Sequence, residues 1–288
     1  MTRPVSALVL ACALATTTPA LAQSPAATPA QPTPAATRVA PAGAPAPGSA
    51  EELALKLANP VASLISVPLQ NNIDYGIGPN ETHRYTLNVQ PVIPFSMNAD
   101  WNLITRTIMP IIDAGSPAPG IAGATGFGDI VQSFFFSPKK PVGGMIVGFG
   151  PALMYATATD DLLGTGKWAV GPTVVALKQR GALTIGVLGN HLKAYAGDDS
   201  RADVNATFVN PFVSYITKTK TTFGISPELT YDWESEQLIA PINLTVSQLL
   251  LINKKPISVG GGVRFYAEGP SGGPEWGLRF VVTLLFPK

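Results

Sequence analysis

The end of the chain alternates between apolar and polar residues, which predicts a β-strand with one oily face. Large apolar residues occupy every even-numbered position of this stretch, namely Trp276, Leu278, Phe280, Val282, Leu284 and Phe286. The odd-numbered positions include Gly277, Arg279 and Thr283. A period of two is that of a strand with one buried face. Because aromatic residues bound the oily face at both ends, the pattern favours a lipid-facing strand, the last of an outer-membrane β-barrel.

Similar segments recur about twelve times from Leu64 onward. Alternation is clear within residues 85–90, 222–231 and 258–265, whereas it is poor in 127–137 and 238–250, which are placed mainly by position. The predicted strands are 64–73, 83–95, 101–112, 127–137, 143–155, 167–178, 181–191, 204–217, 220–231, 238–250, 256–268 and 276–286. We therefore predict an all-β fold, a closed antiparallel transmembrane β-barrel of about twelve strands over 64–288. Closure is preferred to a soluble all-β fold because it leaves no exposed sheet edge.

The connections between these segments alternate in length and in charge. The short set is mostly basic and comprises Ser96–Asn98, Ser137–Pro141, Gln179–Arg180, Lys218–Thr219 and Asn253–Lys255. The longer set is mostly acidic and comprises Asp74–Thr82, Asp113–Gly126, Ala156–Gly166, Leu192–Asp203, Asp232–Gln237 and Gly269–Glu275. Short periplasmic turns and long external loops are the rule for bacterial barrels. The pattern predicts the outer membrane of a Gram-negative bacterium, with both termini in the periplasm.

The first fifty residues predict export and a tether. Residues 1–22 resemble a cleaved signal peptide, with Arg3, an apolar stretch and a small-residue site before Gln23. The single cysteine, Cys12, lies in this segment and is lost on cleavage, unless Val9–Cys12 acts as a lipoprotein box. Residues 23–50 are almost entirely Ala, Pro and Thr, which predicts a disordered tether.

A short amphipathic helix and its lead-in are predicted for residues 51–63. Ser49 and Glu52 have the spacing of a capping box, and apolar residues follow up to Asn59-Pro60. Three roles stay open for this helix: it plugs the barrel mouth, it lies on the membrane surface, or it is a spacer.

Composition agrees with an exported barrel and narrows the partners. The formal net charge is +1, which offers no basic face for nucleic acid. Charged residues make up only 13% of the chain, below the ~25% of typical soluble domains. We expect outer-membrane lipid and a small-molecule solute as partners, no nucleic acid, no cofactor and no metal; the oligomeric state stays open.

Several segments together resemble a known bacterial family. They are Leu57–Pro60, Gln90–Phe95, Gly126–Asp129, Ser133–Pro138, Ala158–Trp168 and Tyr231–Glu236. The chain is similar over residues 55–288 to the outer-membrane family named for the MetA pathway of phenol degradation, whose relatives are labelled transporters or, misleadingly, neuromedin U. The resemblance implies outer-membrane passage of small compounds, with aromatic or apolar ones as candidates. It carries over no catalytic motif.

Charged residues expected to face the interior are the candidates for solute selectivity. They are Arg106, Asp129, Glu228, Arg264 and Arg279. They either line a narrow path, where Arg favours anionic groups, or pair with one another and fill the lumen. Acidic loop residues form a second group, a solvated rim or a Ca²⁺ site, made of Asp160, Asp161, Asp198, Asp199 and Asp203.

An outer-membrane hydrolase is the rival function, and the sequence offers little for it. Only His83 and His191 could act as a base, and no Gly-x-Ser-x-Gly element occurs. We therefore predict no enzymatic activity and no catalytic residues. The aromatic residues near strand ends are either an interfacial girdle or a platform for aromatic solutes. A passive channel for small molecules is the first hypothesis, and a structural or surface-display barrel with a filled lumen is the alternative.

Overall fold

A computed structural model describes residues 49–253 and 255–287 of the chain. The predicted signal peptide 1–22 and all but the last two residues of the predicted tether 23–50 lie outside the described residues, so both stay predictions. Within the described part, none of the helical segments has the length and hydrophobicity needed to cross a membrane.

The described residues form one short helix followed by strands. Helix α1 spans Ala50–Leu57, and Ser49 caps it by accepting a hydrogen bond of 3.2 Å from the Glu52 backbone N–H. The strand segments are β1 (Ile65–Ile77), β2 (Thr82–Val89), β3 (Val92–Ser96), β4 (Trp101–Ala114), β5 (Ala124–Phe127), β6 (Ile130–Pro138), β7 (Ile146–Tyr155), β8 (Lys167–Arg180), β9 (Leu183–Gly197), β10 (Asn205–Ile216), β11 (Thr221–Pro227), β12 (Leu229–Asp232), β13 (Gln237–Ile239), β14 (Pro241–Ile252), β15 (Lys255–Tyr266) and β16 (Trp276–Phe286).

These segments form a closed antiparallel barrel of twelve strands, as the sequence predicts. Four barrel strands are interrupted, so that β2 and β3, β5 and β6, β11 and β12, and β13 and β14 each make one strand of the ring. The ring runs from β1 through β2, β4, β6, β7, β8, β9 and β10 to β11, then through β14 and β15 to β16. The last strand pairs with the first from Ile65↔Phe286 to Tyr75↔Trp276 and closes the ring.

Four strands predicted as continuous are interrupted in the structure, and that part of the prediction is wrong. They are 83–95, 127–137, 220–231 and 238–250. Proline explains two of them, because it has no N–H to donate to a neighbouring strand. Pro91 separates β2 from β3, and β11 ends at Pro227. The Pro91 carbonyl still accepts a hydrogen bond of 3.1 Å from Thr107, so the neighbouring strand remains attached across the break.

The outer face of the sheet is apolar, unlike the surface of a soluble protein. Large apolar residues on the outer face are about half exposed, for example Val174 at 55%, Leu244 at 51% and Phe280 at 49%. Aromatic pairs lie near the ends of the strands, such as Tyr75 stacked on Trp276 with ring centroids 4.7 Å apart. A continuous apolar surface with aromatic residues at its borders is the surface that a barrel presents to lipid.

The connections sort onto the two ends of the barrel as the alternation predicts, but two of the long loops are shorter than predicted. The loop predicted as Leu192–Asp203 covers only 198–204, because β9 continues to Gly197. The first loop was predicted to span Asp74–Thr82, but β1 continues to Ile77 and leaves only residues 78–81 as a turn. Asp74 therefore lies in a strand, where its side chain is buried. Which end faces the periplasm stays a prediction.

Candidate solute pathway through the barrel

A buried ion pair between β16 and the β11–β12 junction forms the centre of the polar lumen. The Arg279 guanidinium donates to both carboxylate oxygens of Glu228, over 2.8 and 3.0 Å, and its Nε donates to Asn72 Oδ1 over 2.8 Å. Such a two-pronged pair is the strongest arrangement of these side chains. Arg279 is only 4% exposed, and protein atoms accept hydrogen bonds from three of its five N–H donors.

A second ion pair lies beside the first, on β15 and β1. Arg264 Nε is 3.2 Å from Asp74 Oδ1, an ion pair that lacks hydrogen-bond geometry. The Arg264 Nη2 donates to the Tyr266 hydroxyl over 3.1 Å and lies 3.9 Å from Glu228. Arg84 of β2 faces Asp74 across the β1–β2 pair. The two carboxylates therefore form ion pairs with Arg264 and Arg279, and Arg84 is a third cation on the strand beside Asp74.

Arg106 differs from Arg264 and Arg279 in its surroundings. It lies on β4, and its Nη2 donates to Gln90 Oε1 over 2.7 Å. Within residues 49–253 and 255–287, no carboxylate forms an ion pair with it. The lumen holds four arginines and two carboxylates in this region, so Arg106 contributes positive charge that no carboxylate offsets at close range.

Three cavities follow one another inside the barrel, and all three reach Gln70. The first, of 280 Å³, lies between α1 and Arg279 and has hydroxyl-bearing walls that include Ser214 and Thr245. The second, of 270 Å³, runs from the residues after α1 to Arg106. The third, of 290 Å³, continues from Arg106 to Asn190 and Glu228. The Ser214 hydroxyl is buried without a protein partner and is available to a solute or a water molecule.

The lumen has a polar side and an apolar side. The ion-paired side chains come from three neighbouring strands, β15, β16 and β1, and from the β11–β12 junction, which β14 separates from β15. The large apolar side chains come from β4, β6, β8 and β9 and cluster as Ile104, Phe135, Val175, Leu177 and Leu188, with Phe208 and Phe212 of β10 packed against them. Arg106 lies on a strand of the apolar side, next to the polar side.

Helix α1 occupies the barrel end that carries the short turns. Leu53 and Ala54 pack against Ile216, Leu249 and Leu285, the inward residues at the ends of β10, β14 and β16. Polar contacts hold the helix in place as well: Gln179 Nε2 donates to the Leu55 carbonyl over 2.9 Å, and Lys220 pairs with Glu51 at 3.1 Å. Of the three roles considered for this helix, the plug is the one that this packing supports.

The opposite end is narrowed by the loop 156–166. Asp129 organises this loop, because its carboxylate accepts hydrogen bonds from the backbone N–H groups of Thr157, Ala158 and Thr165, over 3.1, 3.1 and 2.6 Å, and from the Thr165 hydroxyl over 2.8 Å. Leu163 of the loop is buried against the inward-facing Ile112. Asp129 therefore lies away from the ion pairs formed by Glu228, Arg264 and Arg279, and its oxygens are already engaged.

Four of the five acidic loop residues have a partner in the loops or at the adjoining strand end. Asp161 pairs with Arg201 at 3.1 Å and Asp203 with Lys167 at 2.8 Å, while Asp160 accepts from the Leu162 N–H over 2.9 Å. The Ser200 hydroxyl and backbone N–H donate to Asp198 and hold the pKa of that carboxyl below its ordinary value. The fifth residue, Asp199, is exposed.

No group of three or more acidic, His or Cys side chains in the described part of the chain is arranged to hold a metal ion. The contacts among the loop acids instead join loop 156–166 to loop 198–204, since Arg201 also donates to the Gly164 carbonyl over 2.6 Å. These loops are therefore held together by the chain's own cations.

Both histidines lie on the outer face of the barrel. His191 Nδ1 is 2.9 Å from the Thr207 hydroxyl, which also accepts from Trp233 Nε1 over 2.9 Å. No carboxylate hydrogen-bonds to His191 among the described residues, so this cluster lacks the third member of a hydrolytic triad. His83 is exposed at the β2 end, 6.4 Å from the Tyr75 ring. Trp168 forms an edge-on pair with Tyr155 at 5.6 Å, an arrangement typical of an interfacial girdle.

Sequence reasoning missed four members of the polar lumen: Asn72, Asp74, Arg84 and Gln90. The residues Gln70, Asn72 and Asp74 occupy alternate positions of β1, and this spacing was the available signal for a polar inner face. Asp74 was instead placed at the start of the first long loop, because the first strand was predicted to end at residue 73. The structure brings Glu228, Arg264 and Arg279 together and places Arg106 apart from them.

No protein-family model matches the sequence, and no curated protein sequence matches it either. Among solved structures, the barrel is similar to the COG4313 outer membrane channel from Pseudomonas putida F1, with 14% sequence identity, a TM-score of 0.59, and coverage of 77% of this chain and 94% of that chain. The NanC porin has 10% identity and a TM-score of 0.48, covering 77% of this chain and 99% of that chain. The first of these likenesses shows the fold of an outer-membrane barrel.

Proposed function

We propose that this chain is an outer-membrane channel for the passive passage of small solutes. The observation that carries the proposal is the series of three cavities of 280, 270 and 290 Å³ inside a barrel with an apolar exterior. Their walls bear arginine, amide and hydroxyl groups, which are the groups that replace hydration around a polar solute. A purely structural barrel has no need of such a lining.

The proposed location is the outer membrane of a Gram-negative bacterium with both termini in the periplasm. The apolar outer face and the fold shared with the Pseudomonas putida channel support the membrane. The orientation is supported by the length and charge of the connections, since the short turns carry Lys139, Lys218 and Lys220 and the long loops carry most of the acids. The predicted leader 1–22 is consistent with export.

The solute class is proposed from two lines of support. The excess of arginine over carboxylate in the lumen favours anionic solutes over cations. The resemblance to the family of the MetA pathway of phenol degradation suggests aromatic or apolar compounds. Both lines are met by small molecules that carry a negative charge on an apolar body.

Reconstitution of the purified protein in planar bilayers tests the proposal. Because α1 closes the end with the short turns, the expected wild-type conductance is small and intermittent. A variant that lacks residues 50–57 is expected to conduct more and to close less often. An internal control keeps the helix but replaces Glu51 with Gln, which removes only the contact with Lys220. If neither the wild type nor the truncated barrel conducts, the channel proposal is wrong.

A structural or surface-display barrel is the second candidate, and one observation favours it. Both mouths are narrowed by the chain itself, by α1 at one end and by Leu163 of the loop 156–166 at the other. On this alternative, removing α1 leaves the barrel closed to ions. Surface partners would then bind the long loops, which protease shaving of intact cells would reveal.

A further inference from the structure

The arginines of the lumen differ in how many of their donors are already used. Arg279 gives its Nε, Nη1 and Nη2 to Asn72 and Glu228, and Arg264 faces Asp74 and Tyr266. Arg106 makes one hydrogen bond, to Gln90. A guanidinium has five N–H donors in a planar fork, so most of the Arg106 donors are open to a ligand.

Arg106 lies where two cavities meet. It borders both the 270 Å³ cavity and the 290 Å³ cavity, and Gln70, Gln90 and Leu188 are the other residues common to the two. A solute that moves along the lumen therefore passes the guanidinium. The acid that lines the 290 Å³ cavity is Glu228, whose charge is compensated by the two hydrogen bonds from Arg279.

The cavity beside Arg106 has an apolar part. The 290 Å³ cavity is lined by Ile108, Val131, Leu188, Leu192 and Phe208. Besides Arg106 and Glu228, the polar residues of the lining are Gln70, Asn88, Gln90, Ser133 and Asn190. A single cation beside a mostly aliphatic and aromatic wall is complementary to a molecule with one anionic head and an apolar body.

Resting on the channel function proposed above, we propose that Arg106 and this apolar wall form a binding site for a small aromatic or aliphatic monocarboxylate. The carboxylate accepts two hydrogen bonds from the Arg106 fork, whose orientation Gln90 fixes. The body of the solute packs on Phe208 and Leu188. The planar fork makes the site selective for carboxylates over neutral solutes of the same shape.

Equilibrium binding to the detergent-purified full-length protein, measured by titration calorimetry, tests this site without any need for conduction. Benzoate is expected to bind at least about tenfold more tightly than benzamide, its neutral planar analogue, because hydrogen bonds to a charged group are lost with the amide. Benzoate is also expected to bind at least about tenfold more tightly than acetate, since acetate lacks the apolar body. Equal affinities for benzoate and benzamide, or no binding of benzoate, would overturn the site.

Two substitutions of Arg106 and one matched control assign the binding to this residue. Arg106→Gln is expected to lower the affinity for benzoate at least about tenfold. Arg106→Lys keeps the charge without the fork and is expected to give an intermediate affinity, which also covers the case in which the Gln variant fails to fold. The control is Arg180→Gln, the same change at an exposed position at the end of β8, and benzoate affinity is expected to stay unchanged.

The outcomes separate this site from the channel function. If the protein conducts but its affinity for benzoate does not change when Arg106 is replaced, the binding site is refuted and the channel function stands. If benzoate binding depends on Arg106 but the protein does not conduct even without residues 50–57, the channel function is refuted. The protein is then a carboxylate-binding barrel.

Discussion

Replacing Glu228 with Gln is expected to destabilise the barrel, because it removes the charge that compensates Arg279. In the folded protein, Arg279 donates to Glu228 over 2.8 and 3.0 Å while its side chain is 5% exposed. A glutamine keeps the shape but offers one acceptor in place of two, and it turns an N–H donor toward the guanidinium. The buried cation then keeps two uncharged partners, Asn72 and the amide oxygen of the new glutamine, and loses its carboxylate.

The expected loss in the free energy of unfolding is about 2–4 kcal/mol. Removing one partner of a buried ion pair costs about 3–5 kcal/mol. The Glu228 side chain is 24% exposed to the lumen, and solvent there reduces the loss. Replacing both residues, as Glu228→Gln with Arg279→Met, is expected to recover much of the stability, since no buried charge then lacks its partner.

Urea unfolding of the protein in lipid vesicles, followed by tryptophan fluorescence, measures these differences. The matched control is Asp161→Asn, which removes a carboxylate from an ion pair whose acid is 97% exposed. Exposed pairs contribute about 0–1 kcal/mol, so this control is expected to stay close to the wild type. A Glu228→Gln variant within about 0.5 kcal/mol of the wild type would show that lumen water, and not the pair, solvates Arg279.

Three further substitutions test other parts of the barrel. Asp129→Ala removes the acceptor of four hydrogen bonds and is expected to make the loop 156–166 sensitive to limited proteolysis in the folded barrel; an unchanged digestion pattern would contradict its role as organiser. Phe280→Lys places a charge on the lipid-facing side and is expected to lower the unfolding free energy in vesicles by about 2–4 kcal/mol, whereas a neutral result would mean that this face does not contact hydrocarbon. Gly171→Ala sets a Cβ against a backbone carbonyl of β9 and is expected to lower the unfolding free energy by about 1–3 kcal/mol. Its control is Gly261→Ala, whose Cβ would lie 3.4 Å from its nearest neighbour, and equal stabilities of the two variants would refute the prediction.

Local alternation was enough to predict the fold where each strand has one polar face. It identified β16 with its exact bounds, because Arg279 and Thr283 face the lumen while the even-numbered residues face outward. It was poor over 127–137, because Phe135 also faces inward and is fully buried in the apolar side of the lumen. It was poor over 238–250 in part because the inward Leu249 packs on α1.

The candidate site was less accessible to sequence reasoning, because its contacts join distant parts of the chain. The hydrogen bond from Arg279 to Asn72 spans 207 positions of the sequence, and the pair with Glu228 spans 51. Local patterns identify such residues as inward-facing but do not choose their partners. The contrast between the occupied Arg279 and the open Arg106 therefore emerges only once the ring is closed.

The short connection between α1 and β1 makes the helix a tethered ligand of its own barrel. Residues 58–64 join the two elements and, even fully extended, reach roughly 25 Å. A displaced helix therefore stays at a high effective concentration near its binding position in the barrel, and it rebinds in a unimolecular step. The rate at which one barrel closes should consequently not depend on how many copies a membrane patch contains. A free peptide with the sequence of α1 should compete poorly with the attached helix for the same position.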